Sequence, residues 1–103
     1  MDADLQALLA GIEGFEWDDG NIHKNLIRHL VTQQEAEEAF LVSPGTPFRD
    51  ERHSRDEERW LMYGQSAAGR RLTVAFTIRA TRLRVISVRD MSREERRRYD
   101  EAR

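Results

Sequence analysis

Arg59, Arg79, Arg82 and Arg84 fall at strand-compatible spacing with Glu57 in a 103-residue chain, and that mix of side chains suits chemistry on a polyanion. An arginine fork meets two phosphate oxygens at once and keeps its charge at any working pH. If Ala67-Ala68-Gly69 and Ala80-Thr81 are hairpin loops, antiparallel pairing sets Trp60 opposite Phe76 and Phe76 opposite Val85. Met62, Val74 and Ser87 then extend the same apolar row. On the other face Arg59 lies across from Thr77 and Arg84, and Glu57 across from Arg79 and Arg82. This face reads either as cross-strand ion pairs in water or as an anion site. One acid among four arginines leaves charge uncancelled and favours the anion. His53 precedes the cluster and His29 follows Arg28, so either could carry a proton near neutral pH. The three histidines lack the tight spacing of a metal site, and no serine has the context of a nucleophile elbow.

The elements that hold these residues are legible in turn. Leu5, Leu8, Leu9 and Ile12 mark a short amphipathic helix, an appended element over residues 1–14 whose apolar face needs cover. Phe15-Glu16-Trp17 predicts a first strand. Asp18 then caps a helix through Leu30 whose apolar face is Ile22, Leu26 and Leu30. Thr32 to Glu35 is a capping box that opens a second helix to about Leu41, and Ser-Pro-Gly-Thr-Pro at 43–47 breaks it. Strands are predicted near Phe48 and over 57–66, 70–79 and 82–89. Ser92 to Glu95 is a second capping box, opening a terminal helix. The arginines at 93, 96, 97 and 98 on that helix read as a solvated face with partners such as Glu94 for Arg98, ahead of any base readout.

One domain is expected over residues 15–103, with no cysteine for a disulfide, a thiol nucleophile or a cysteine zinc site. The opening residues lack a basic leader and a long apolar run, so neither a signal peptide nor a membrane span is expected, and a cytoplasmic location is the default. Net charge is −2, but residues 1–20 carry six acids and no base, whereas 43–103 carry fifteen arginines against ten acids. The field is polarised along the chain. With Trp60 and Phe76 assigned to the core, no aromatic stacking platform is evident, and phosphate contacts should dominate any RNA binding.

Taken together, FEWD, Asn25 with Arg28-His29, HSRDEERW, Gly64, LTVAFT, RVISVR and EERRRY resemble the BrnT toxins of type II toxin–antitoxin systems, over about residues 15–101. The resemblance implies an α+β, RelE-like fold: a mainly antiparallel sheet of four to five strands, two helices packed on one face, and N- and C-terminal helices. It also implies a metal-independent, cofactor-free endoribonuclease that arrests translation. Its partner would be a BrnA-like antitoxin, a small DNA-binding protein through which alone the operator DNA is reached. By position, Arg28 and His29 match the family's basic-His pair. His53, Glu57 and Arg59 match its HS-x-x-E-x-R segment, Arg84, Ser87 and Arg89 its R-I-I-S-x-R strand, and Tyr99 the tyrosine of the last helix. The usual glycine after His29 is Leu30 here, and the usual Lys-Asn of the first helix is Asn21-Ile22.

On this reading Glu57 or a histidine acts as base, Arg59, Arg79 and Arg84 as electrostatic clamp, and Tyr99 or a histidine as acid. Arg28, His29, Thr77, Arg79, Arg82 and Arg89 contact RNA. Arg89 has apolar-side parity in the simple register, so its role requires a bulge or a strand-end position. A non-catalytic RNA- or protein-binding module of the same fold is the other function class.

Overall fold

The computed structural model describes residues 7 and 9–102. In chain order these form β1 (Gly14–Glu16), α1 (Asp19–His29), α2 (Gln33–Leu41), β2 (Ser43–Pro44), β3 (Phe48–Arg49), β4 (Trp60–Gln65), β5 (Arg71–Arg79), β6 (Arg82–Asp90) and α3 (Arg93–Glu101). The sheet has six strands in the order β1-β6-β5-β4-β2, with β3 also paired to β4. β1 runs parallel to β6, and the other pairs are antiparallel. β3 lies at Phe48 as expected, and the short β2, inside the expected break, takes the count to six.

Helix boundaries follow their caps. The Asp18 carboxylate accepts from Gly20 and Asn21 backbone N–H, and both capping boxes are formed, at Thr32–Glu35 and Ser92–Glu95. These side chains satisfy helix-end donors that would otherwise lack partners. Of the expected N-terminal stripe, Leu5 and Leu8 lie outside the described residues. Ala7, Leu9 and Ala10 are helical, and Leu9 and Ile12 pack against the core.

The core face of the sheet carries Trp60, Met62, Leu72, Val74, Phe76, Val85 and Val88, joined by Val31, Ala36 and Ala39. Full burial of a side chain the size of Phe76 or Met62 contributes roughly 1.5–3 kcal/mol. Phe15, Phe40 and Phe76 form an aromatic chain with ring centroids 5.6 and 5.2 Å apart. The predicted β4–β5 register holds, with Trp60 opposite Phe76. The β5–β6 register holds only from Phe76↔Val85 to Arg79↔Arg82. An irregularity then inserts Ile86, so that Val88, not Ser87, lies opposite Val74, and Ser87 lies opposite Ala75. The inserted residue turns Ser87 and Arg89 to the face that carries Arg84.

The apolar face expected on α1 is not the one it buries. Leu26, Ile27 and Leu30 are exposed, and Asn25 is the buried residue of the helix. β1 accompanies β6 only as far as Arg84, and beyond it Asn21 donates to the Val85 carbonyl (3.5 Å) while Val88 N–H donates to Asn25 Oδ1 (3.3 Å). The helix docks by satisfying backbone groups of β6. Its C-cap, Leu30, sits at φ 54° and is 73% exposed. A left-handed conformation costs a residue with a Cβ about 1 kcal/mol or more, and this exposed side chain recovers little by burial. Leu30→Gly is therefore expected to stabilise the fold by up to about 1 kcal/mol, read as a higher midpoint in thermal unfolding.

Candidate functional site

Ladder pairing between β3 and β4 continues one step past Arg49↔Trp60, because Asp50 N–H donates to the Arg59 carbonyl at 2.8 Å. Ser54 closes the intervening loop. Its hydroxyl donates to the Asp50 carbonyl (2.8 Å) and accepts from Arg59 N–H (2.9 Å). These contacts start β4 at Trp60, later than the expected residue 57. They also bring Arg52, His53, Arg55, Asp56, Glu57 and Arg59 around one open cleft of about 640 Å³.

Within that cleft His53 Nδ1 lies 2.9 Å from Asp50 Oδ2. A carboxylate acceptor there makes Nδ1 the protonated nitrogen and leaves Nε2 as the basic one. Arg79 donates to both oxygens of Glu57, at 2.9 and 3.3 Å. That fork, with Arg59 and Arg84 nearby, holds the Glu57 carboxyl below its usual range against the opposing effect of burial. A carboxylate so held is a weak proton acceptor and a fixed anchor for Arg79. The half-buried Arg59 has no ion pair or side-chain hydrogen bond among the described residues. Arg82 stands opposite Arg79 at the hairpin end and is exposed.

The remaining expected site residues lie elsewhere or are engaged. Arg84 bridges Glu16 (3.5 Å) and Asp18 (3.3 Å), which ties it to β1 and the start of α1. Thr77 is 1% exposed and donates its hydroxyl to the Glu58 carbonyl at 2.8 Å, so it supports the loop from below. Tyr99 is buried, and its hydroxyl lies 2.6 Å from the Ser43 carbonyl. It lines a different cavity from His53 and Arg59.

Arg28 and His29 end α1, where the His29 carbonyl accepts from Arg70 and the His29 ring acts on Asp90. Asp90 is the last residue of β6 and Arg82 the first, so roughly 26 Å of strand separates that pair from the cleft. Position along the chain does not say which end of a strand a helix meets, and α1 meets β6 at the end away from the cleft. Arg70 itself is a bolt rather than a site residue. It also donates to the Leu30 carbonyl (2.7 Å), Glu35 (3.3 Å) and Asp90 (2.8 Å).

The irregularity in β6 supplies the bulge that a role for Arg89 required, yet its fork is held by Glu95 at 2.6 and 3.0 Å. Burial raises the Glu95 carboxyl, but Arg89, the Ser92 backbone N–H and the Thr73 hydroxyl outweigh it and hold the group at about 2. A carboxyl depressed from 4.5 contributes stability that is fully present above about pH 4.5 and is lost as pH falls toward 2. Glu95→Gln is expected to lower the melting temperature at neutral pH and to flatten the loss between pH 4.5 and 2, as followed by melting at stepped pH. On α3, Arg98 meets Glu94 at 2.9 Å, the partner expected of a solvated helix face.

Sequence reasoning missed Asp50, Arg52 and Arg55. The available signal was the density of charge in Arg-Asp-Glu-Arg-His-Ser-Arg-Asp-Glu-Glu-Arg over 49–59, too crowded for a strand and suited to a charged loop.

Among known proteins, a family model described as the ribonuclease toxin BrnT of type II toxin–antitoxin systems matches residues 17–95, more than half of the chain. The fold is similar to that of the ribonuclease toxin BrnT of Brucella abortus, known from a 1.1 Å crystal structure. The TM-score is 0.59 at 22% sequence identity, covering 78% of this chain and 97% of that one. No curated protein matches the sequence. Among the described residues, no helix is long and apolar enough to cross a membrane.

Proposed function

The chain belongs to the BrnT family of ribonuclease toxins of type II toxin–antitoxin systems, and from that premise we propose that it is an endoribonuclease whose cleft around Arg59 cuts RNA by attack of a ribose 2′-OH on the adjacent phosphate. The observation that carries this reading is the unpaired, half-buried Arg59 beside two ordered pairs, Asp50–His53 and Glu57–Arg79. RNA supplies its own nucleophile, so the reaction needs no metal, only orientation, proton removal and charge stabilisation. His53 Nε2 takes the proton of the 2′-OH. Arg59, with Arg79 oriented by Glu57, meets the charge that builds on the phosphate. The leaving 5′-oxygen takes a proton from water in the open cleft, because Glu57 is ionised. The products are a 2′,3′-cyclic phosphate and a 5′-hydroxyl.

A type II toxin implies an antitoxin partner as well as RNA. Here that partner is a BrnA-like protein that neutralises the toxin in the cytoplasm and carries any contact with operator DNA. Residues 15–103 make up the toxin domain, and 1–14 are an addition to it.

Purified chain incubated with RNA in the presence of EDTA tests the reading. Fragments ending in 2′,3′-cyclic phosphate are the expected result. Absence of cleavage by the folded, intact protein would overturn it in favour of a binding module. Affinity for uncleavable RNA is also expected to fall steeply between low and physiological salt, since arginine–phosphate contacts release counterions. A flat salt response in a fluorescence titration would contradict phosphate-dominated binding.

A further inference from the structure

We propose that the cavity between β3, β4 and α3 is a nucleobase subsite for the RNA, a step that rests on the ribonuclease reading above. The cavity holds about 600 Å³ and is lined by Gly45, Thr46, Phe48, Tyr63, Arg98 and Tyr99, among others. Such a volume with aromatic walls and few polar groups suits a planar ligand. Phe48 is 41% exposed, with its ring centroid 5.4 Å from that of Tyr63 at 62°. It is the exposed aromatic surface that the sequence did not reveal, because Phe48 read only as an isolated strand residue.

Continuity with the cleft identifies the occupant. Phe48 lies opposite Leu61, and two ladder steps on, past Arg49↔Trp60, Asp50 lies opposite Arg59. By the two-residue period of a strand, Phe48, Asp50, Arg59, Leu61 and Tyr63 share one side of the sheet. Arg59 is two residues from Leu61, about 7 Å along β4, the order of one nucleotide step. A phosphate held at Arg59 thus delivers a neighbouring base to Phe48, with Arg98, which lies beside the Tyr63 side chain, as a donor for acceptors on the base edge. Arg98 lines the cavity and Arg59 stands farther along β4, which fits a nucleotide and not a free apolar ligand.

The test uses the full chain and labelled 2′-O-methyl RNA, which lacks the attacking hydroxyl, with a single abasic position moved along the strand. In wild type, one position is expected to weaken binding about 10-fold when abasic. Phe48→Leu keeps apolar volume but removes the ring, and is expected to abolish that difference while preserving the fold. On cleavable RNA it should raise KM with kcat held. Arg98→Gln, at a surface position, is expected to change which base is preferred there and serves if Phe48→Leu fails to fold. Equal binding of every abasic RNA, or a Phe48→Leu protein that discriminates like wild type, would overturn the subsite. If both variants bind RNA normally and lose only the antitoxin, the cavity is a protein contact and the proposal fails. Cleavage without base dependence sinks the subsite alone, whereas base-dependent binding without cleavage sinks the ribonuclease mechanism alone.

Discussion

Arg59→Ala is expected to fold, to bind its antitoxin and to lose about 100- to 1000-fold in RNA cleavage, the usual effect of removing one donor aimed at developing charge. The fold is expected to survive because the loop is held by the backbone of residue 59. Its N–H donates to Ser54 Oγ and its carbonyl accepts from Asp50, contacts that alanine keeps. The guanidinium makes no ion pair among the described residues, so its loss strands no carboxylate. Arg59→Lys retains the charge but not the fork and should recover only part of the rate. Single-turnover cleavage beside a melting curve separates chemistry from stability. Wild-type rates in a well-folded Arg59→Ala protein would remove this residue from the mechanism.

Gly64→Ala is expected to destabilise the fold by about 3 kcal/mol, near the upper end for overpacking. A Cβ at Gly64 would lie 2.5 Å from the Ala39 carbonyl oxygen and 3.0 Å from its Cβ. Both are parts of α2 fixed at short reach from its backbone, and Ala39 is 0% exposed, so no flexible side chain can swing aside. Strand β4 must part from α2, which opens the layer around Met62 and Phe76. Chemical denaturation followed by circular dichroism gives the measure, and an unchanged midpoint would mean that α2 does not press on β4 this closely.

Local signals carried most of the elements. Thr32–Glu35 and Ser92–Glu95 declare helix starts because their hydrogen bonds join residues three apart, and Ser66 and Arg70 close the three-residue loop at Ala67-Ala68-Gly69 as that spacing requires. The turn at Ala80-Thr81 also forms, although Ala80 takes φ 53° where glycine is preferred. What stayed hidden depends on distant chain. Ile86 could be placed in or out of register only by knowing that Val88, not Ser87, fills the core beside Val74. Asn25 carries no hydrophobic signal, and its burial follows from unpaired β6 backbone, a condition set by where β1 ends.

The candidate site divides in the same way. Glu57 with Arg79 was legible because the β4–β5 register, carried past Trp60↔Phe76 into the loop, sets them side by side. Asp50 with His53 was not, since a loop that folds back on a strand has no periodicity. Tyr99 and Arg89 were placed by resemblance, which transfers position along the chain without telling whether the hydroxyl or the guanidinium is already engaged.

The way α1 meets β6 bears on how copies of this protein behave when crowded together. An uncovered strand edge is a template onto which another chain can add, the first step of many aggregates. Here Asn21 and Asn25 occupy backbone groups of β6 where β1 stops, so the rim that faces α1 is closed to strand addition by two side-chain amides. On the opposite rim, β2 and β3 are two residues each, too short to seed a ladder. A sheet dressed this way can accumulate at high concentration without zipping to its neighbours, and the asparagines of α1 guard against self-association as much as they support the fold.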